Sequence, residues 1–147
     1  MRISIVGSGY VGLVTGIGFA ELGNEVIFVD IDKTKIESIN SLKPPIYEAG
    51  LEELMEKNSG KFYATDDYLE AIANSEITFI CVGTPSRDDG SIDLRYIESA
   101  SKEIGKALAN KDDFHVVVVK STVIPGTTEG VVKPIIEEKS GKRAFED

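Results

Sequence analysis

The first residues able to do chemistry are Gly7-Ser8-Gly9-Tyr10-Val11-Gly12, a G-x-G-x-x-G hexapeptide, and Asp30, eighteen residues beyond its last glycine. Glycines at that spacing let a main chain approach an anion. Gly7 permits a tight turn, Gly9 leaves no side chain between backbone and pyrophosphate, and Gly12 lets a helix pack closely on the strand before it. The N–H groups around Tyr10 and Val11 then face the phosphates, aided by the positive end of that helix. Taken alone, the hexapeptide is as readily an ordinary glycine-rich turn. Asp30 tips the balance: a carboxylate ending the second strand accepts hydrogen bonds from both hydroxyls of an adenosine ribose, and its charge repels a 2′-phosphate. Together they predict a site for NAD rather than NADP. Lys33 and Lys35 could meet such a phosphate, although lysines at these positions more commonly face solvent.

For these groups to converge, Gly7 must end one strand and Asp30 its neighbour. Ile3–Val6 and Val26–Val29 read as those strands. The helix between them carries Val11, Val14, Ile17 and Leu22 near helical spacing and stops at Gly23-Asn24. Asp32 can cap a helix with Ile36 and Ile39 that ends before Pro44-Pro45. Leu51–Lys57 is a short helix, Phe62–Ala64 a weak strand, and Asp66–Ala73 a helix with acidic residues at its start. Ile77–Val82 is a strand. Asp93 can cap a helix bearing Ile97, Ala100, Ile104 and Leu108. Val116–Val119 is a further strand, its continuous valines fitting a sheet buried on both faces, and Thr127–Lys139 is the last helix. Strands alternating with helices imply parallel pairing with right-handed crossovers. The expected fold is an α/β, Rossmann-type doubly wound sheet in the order 3-2-1-4-5, one domain over residues 1–147, its sixth strand missing. If that strand normally lies beside Val116–Val119, its absence leaves a flat apolar edge that invites self-association.

Composition narrows the function classes. The 147 residues hold 16 Lys+Arg against 25 Asp+Glu, a formal charge of −9, which argues against nucleic-acid or anionic-membrane partners. The single cysteine excludes an internal disulfide framework and a cysteine-rich zinc site, and points to a reducing, cytoplasmic setting. The run Ile3–Ala20 superficially resembles a signal peptide, but Gly7, Gly9, Gly12, Gly16 and Gly18 interrupt it.

Three later segments are more specific. They are Pro45-Ile46-Tyr47-Glu48-Ala49-Gly50-Leu51, then Cys81-Val82-Gly83-Thr84-Pro85 with Asp89-Gly90-Ser91-Ile92-Asp93-Leu94, then Lys120-Ser121-Thr122-Val123-Ile124-Pro125-Gly126-Thr127. With Gly-Ser-Gly-Tyr-Val-Gly before them, in this order, the chain resembles the UDP-glucose/GDP-mannose dehydrogenase family over essentially its whole length. Two departures stand in one loop: Ala49 where the family usually has proline, and Leu42 where it often has glycine. The resemblance implies oxidation of the primary alcohol of a nucleotide-linked hexose to a carboxylate, with two NAD reduced. It assigns the pyrophosphate to Gly7, Gly9, Val11 and Gly12, with Tyr10 in the same turn, and the adenosine ribose to Asp30 and Lys35. Thr84 and Ser121 would line the cofactor groove. Thr122 would lie near the nicotinamide and support catalysis. For Thr84 and Thr122 the competing reading is a hydroxyl that satisfies turn backbone.

The resemblance also places the second oxidation on a downstream cysteine, in a segment absent here along with the sugar-binding domain. The 147 residues are therefore expected to bind NAD without turnover. Cys81 is no substitute, since it falls inside an apolar strand where cysteine is an inert packing residue. His115 has no second histidine or cysteine with which to hold a metal, and no metal is expected. Asp66-Asp67 and Asp88-Asp89 read as helix-start and loop charges, and Glu52-Glu53 and Glu137-Glu138 as solvated helix faces. Tyr47 and Glu48 have no role that spacing supplies. Two other classes compete: a non-catalytic NAD(H)-binding regulatory or sensor module, and a hydroxyacid- or hydroxyacyl-type dehydrogenase. The later motifs weigh against both.

Overall fold

The computed structural model describes residues 1–145; Glu146 and Asp147, the end of the expected domain, lie outside the described residues. Five parallel strands form one sheet: β1 (Arg2–Val6), β2 (Glu25–Val29), β3 (Phe62–Thr65), β4 (Ile77–Ile80) and β5 (Val116–Val119). Their order is β3-β2-β1-β4-β5, as expected. The connections are helical: α1 (Tyr10–Glu21), α2 (Lys33–Asn40), α3 (Leu51–Lys57), α4 (Tyr68–Ala73) and α5 (Arg95–Leu108). After β5, a π-turn over Thr128–Val132 runs into α6 (Lys133–Ser140), so the single last helix of the sequence reading is two pieces.

Side chains alternate across the strands. Ile3, Ile5, Val26 and Phe28 join Leu13, Ile17, Ile39 and Met55 in one core, while Val6, Ile27, Val29 and Ile80 join Ile72, Ile97 and Ile104 in the other. This period of two is what a sheet covered on both faces requires.

Four expectations need correction. Of the apolar residues expected to mark the face of α1, Ile17 is buried, but Val11, Val14 and, just beyond the helix, Leu22 are exposed; Gly12, Leu13, Gly16 and Ala20 complete the buried face. Gly16 explains this, because a Cβ there would lie 2.3 Å from the Phe28 ring. Gly12, Gly16 and Ala20 share that face with Leu13 and Ile17 and let the helix come close to the sheet. β5 is an edge strand, with Val116 38% exposed and the other three valines half-buried, so its apolar run does not mean burial on both faces. β4 ends at Ile80 rather than Val82, although the Cys81 N–H still donates to the Val6 carbonyl at 2.7 Å. Asp93 lies one residue outside the N-cap of α5; its Oδ1 accepts from the Arg95 N–H at 3.0 Å, and Arg87 and Arg95 both pair with the carboxylate.

The cap at Asp32 holds, and Asp67, one of the acidic residues at the start of α4, is its N-cap. Asp32 accepts from the N–H groups of Thr34 and Lys35, and Asp67 from that of Glu70. Among the described residues no helix is long and apolar enough to cross a membrane.

Candidate functional site

Because all five strands are parallel, their carboxyl ends lie on one side of the sheet. Register brings Val6, the last residue of β1, opposite Val29 of β2 and Ile80 of β4. The chain leaves β1 toward β2 and β3 on one side, then returns to β4 and β5 on the other. The crevice at this reversal is where an open α/β sheet binds ligands. The hexapeptide, Asp30 and the loops carrying Thr84, Ser121 and Thr122 all emerge at that side.

The three glycines of the turn serve three different needs. Gly7 adopts φ +96°, a backbone conformation that side chains rarely tolerate. A Cβ there would also fall 2.9 Å from the Cys81 carbonyl oxygen and the Val82 nitrogen. At Gly12 a Cβ would lie 1.9 Å from the Gly7 carbonyl oxygen, so this glycine sets the approach of α1 to the end of β1. Gly9, at the N-cap of α1, has φ −70°, and a Cβ there would meet nothing within 4 Å. Nothing within the fold demands a glycine at that point. The open space beside it leaves the main chain there accessible to an approaching group.

Asp30 is 9% exposed and held by three donors. Its Oδ2 accepts from the Ser8 N–H at 2.8 Å and the Ser8 hydroxyl at 2.5 Å, and its Oδ1 from the Asp32 N–H at 3.0 Å. The Lys35 ammonium stands 4.0 Å from Oδ2. Burial pushes the carboxyl up, but the Ser8 hydroxyl, the two N–H groups and Lys35 outweigh it and hold the group below its ordinary value. Asp30 is therefore ionised at neutral pH. Ser8, a variable position of the hexapeptide, was not singled out by the sequence. Its 22-residue separation from Asp30 gave no local signal of the contact.

The loops after β4 and β5 are tied together. The Thr84 hydroxyl donates to the Thr122 carbonyl at 2.8 Å, and the Ser121 hydroxyl to the Val82 carbonyl at 2.7 Å. These two hydroxyls satisfy backbone, as the competing reading for Thr84 held, and so brace one wall of the crevice. The Thr122 side chain is exposed. On the other side, the Tyr10 phenol donates to Glu48 Oε2, fastening the loop before α3 to the start of α1. The Glu48 carboxylate at that phenol raises the Tyr10 pKa. Ile31, directly after Asp30, is 81% exposed, an apolar side chain left open beside the Asp30 carboxylate.

The remaining candidates sit elsewhere. Cys81 is buried under the turn, and burial pushes its thiol up to about 11. His115 lies at the opposite, amino end of β5; its Nε2 hydrogen-bonds the Thr78 hydroxyl at 2.7 Å. Among the described residues no group of His, Cys, Asp and Glu is arranged to hold a metal ion. Asp89 is a loop charge that accepts from the Ser91 N–H and hydroxyl.

The NAD binding domain of the UDP-glucose/GDP-mannose dehydrogenase family, as a family model, matches residues 1–146. GDP-mannose 6-dehydrogenase of Pseudomonas aeruginosa is 50% identical over 149 aligned residues, which cover 100% of this chain and 34% of that enzyme. UDP-glucose 6-dehydrogenase AglM of Haloferax volcanii is 51% identical over 144 residues, covering 97% and 33%. Among solved structures, a ternary complex of the Pseudomonas aeruginosa GDP-mannose dehydrogenase superposes with a TM-score of 0.98 at 50% identity, covering 100% of this chain and 34% of that one. A UDP-glucose dehydrogenase from Pyrobaculum islandicum gives 0.92 at 44%, covering 97% and 33%. The chain thus spans about a third of the length of these relatives. It belongs to the UDP-glucose/GDP-mannose dehydrogenase family and is an NAD-binding domain of that family.

Proposed function

We propose that this chain is the cofactor-holding part of a nucleotide-sugar 6-dehydrogenase. That enzyme oxidises the primary alcohol of a nucleotide-linked hexose to a carboxylate, with NAD accepting a hydride in each of two steps. The observation that carries the reading is the pairing of a main-chain turn left open at Gly9 with the Asp30 carboxylate, held at the end of the neighbouring strand by Ser8 and Asp32. The turn of Gly7, Gly9, Tyr10, Val11 and Gly12 offers N–H groups to the pyrophosphate at the N-terminus of α1. Asp30 and Lys35 hold the adenosine ribose. Thr84 and Ser121 brace the groove wall, and Thr122 supports the reacting end of the bound pair.

The 147 residues, a single domain, bind NAD and do not turn over alone. The only thiol, Cys81, is buried and raised to about 11, so it cannot serve as a nucleophile at neutral pH. Calorimetry tests the reading: NAD binds, NADP binds more weakly, and NAD mixed with UDP-glucose or GDP-mannose yields no NADH. Absence of NAD binding refutes the site; steady NADH production refutes the division of labour.

The same reading places the protein in the cytoplasm, where the lone cysteine stays reduced. It also has isolated chains associate through the outer edge of β5, whose N–H and C=O groups face away from β4. Sedimentation that gives monomer alone at high concentration counts against that association.

A further inference from the structure

We infer that Ser8 is the residue that sets the preference of this site for a free ribose 2′-hydroxyl over a 2′-phosphate, by locking Asp30 in one orientation. The inference deepens the proposed function and rests on it.

An ionised carboxylate offers about four lone-pair positions. Three are occupied within the protein: two on Oδ2, by the Ser8 N–H and hydroxyl, and one on Oδ1, by the Asp32 N–H. The position left lies on Oδ1. Asp30 therefore accepts one ribose hydroxyl, not the two that a free carboxylate would take, and the second hydroxyl falls to the Lys35 ammonium nearby.

The same three donors keep the carboxylate from turning aside. A 2′-phosphate would bring up to two negative charges against a fixed anion that is only 9% exposed. A carboxylate free to rotate could move away and leave Lys35 to pair with the phosphate. Ser8, itself buried, supplies two of the three restraints and touches Asp30 rather than the ligand. It is a positioning residue. Removing its hydroxyl deletes one charge-assisted hydrogen bond while leaving the backbone donor in place.

The test is calorimetry of NAD and NADP on the full chain, comparing the ratio of the two dissociation constants across variants. Ser8→Ala should lower the discrimination against NADP by about tenfold, the equivalent of one hydrogen bond to a charged group. Ser8→Thr, which restores a hydroxyl, should recover most of it. Asp30→Asn should abolish discrimination, and the Ser8→Ala/Asp30→Asn double variant should match Asp30→Asn alone, because Ser8 acts only through the carboxylate. Circular dichroism confirms folding of each variant. If Ser8→Ala weakens both cofactors equally, or leaves the ratio unchanged, the inference is overturned while the dinucleotide site stands. If the wild-type chain binds neither cofactor, the failure belongs to the proposed function.

Discussion

Gly9 and Gly12 are three residues apart in one turn, and replacing each by alanine should break different things. At Gly12 the new Cβ lies 1.9 Å from the Gly7 carbonyl oxygen, which belongs to backbone and cannot swing aside. Relief requires α1 to move off β1, loosening Leu13, Ile17 and Ala20, all buried without measurable exposure. Overpacking of this kind costs about 3 kcal/mol or more. With a urea slope of about 2 kcal/mol per molar, the unfolding midpoint should fall by about 1.5 M. At Gly9 the new Cβ meets nothing within 4 Å, and φ −70° suits alanine. The loss of N-cap preference and the gain from a less flexible unfolded chain nearly offset, each being under about 1 kcal/mol. Stability should stay within about 0.5 kcal/mol of wild type, while NAD affinity drops by at least tenfold, because the methyl stands where the pyrophosphate must approach. Urea denaturation followed by circular dichroism measures the first effect and calorimetry the second. If Gly9→Ala destabilises as much as Gly12→Ala, Gly9 is structural. If Gly9→Ala binds NAD as wild type does, the cradle is wrong.

Much of this site was legible in the sequence because its determinants are local. The hexapeptide follows a strand and opens a helix, and Asp30 ends the next strand, so two short patterns point to the cleft, while the strand order follows from the alternation of strands and helices along the chain. Leu42 shows how a departure from a family pattern carries physical meaning. Leu42, one of the two departures from the pattern the resemblance implies, sits at φ +60°, a left-handed conformation costly to side chains, while its side chain packs on the first core. What sequence could not supply was contact between distant positions. The locking of Asp30 by Ser8 spans 22 residues and the Tyr10–Glu48 bond spans 38, and neither follows from propensity or period. The buried face of α1 was only partly legible, with Ile17 on it and Val11 and Val14 off it, for a related reason. Hydrophobicity points to Val11 and Val14, but Gly16 fits against Phe28 only by having no side chain, and a missing side chain leaves no apolar signal.

Three further outcomes are expected. Gly105→Ala should destabilise by about 1–2 kcal/mol despite alanine's better helix propensity, because the new Cβ falls 2.7 Å from Lys139 Cβ and 3.0 Å from the Ile136 carbonyl oxygen where α5 meets α6; thermal melts that show a gain refute the close crossing. Cys81, raised to about 11, should resist a thiol reagent at pH 8 in the native state and react fully in denaturant, since about one thiol in a thousand is ionised; rapid native labelling would show the thiol is accessible. Stability should also fall below neutral pH through His115. Burial, then the charge of Lys111, pushes this imidazole down to about 4, against about 6.5 in the unfolded chain. Between these values the unfolded chain binds the extra proton, so the stabilisation is complete above about 6.5 and lost as pH falls toward 4. The full shift corresponds to about 3 kcal/mol, and partial solvent access reduces this to about 1–2. His115→Gln retains a partner for the Thr78 hydroxyl and removes the proton site. Urea midpoints at pH 7 and pH 5 should therefore converge in that variant, and an unchanged gap would place the acid sensitivity elsewhere.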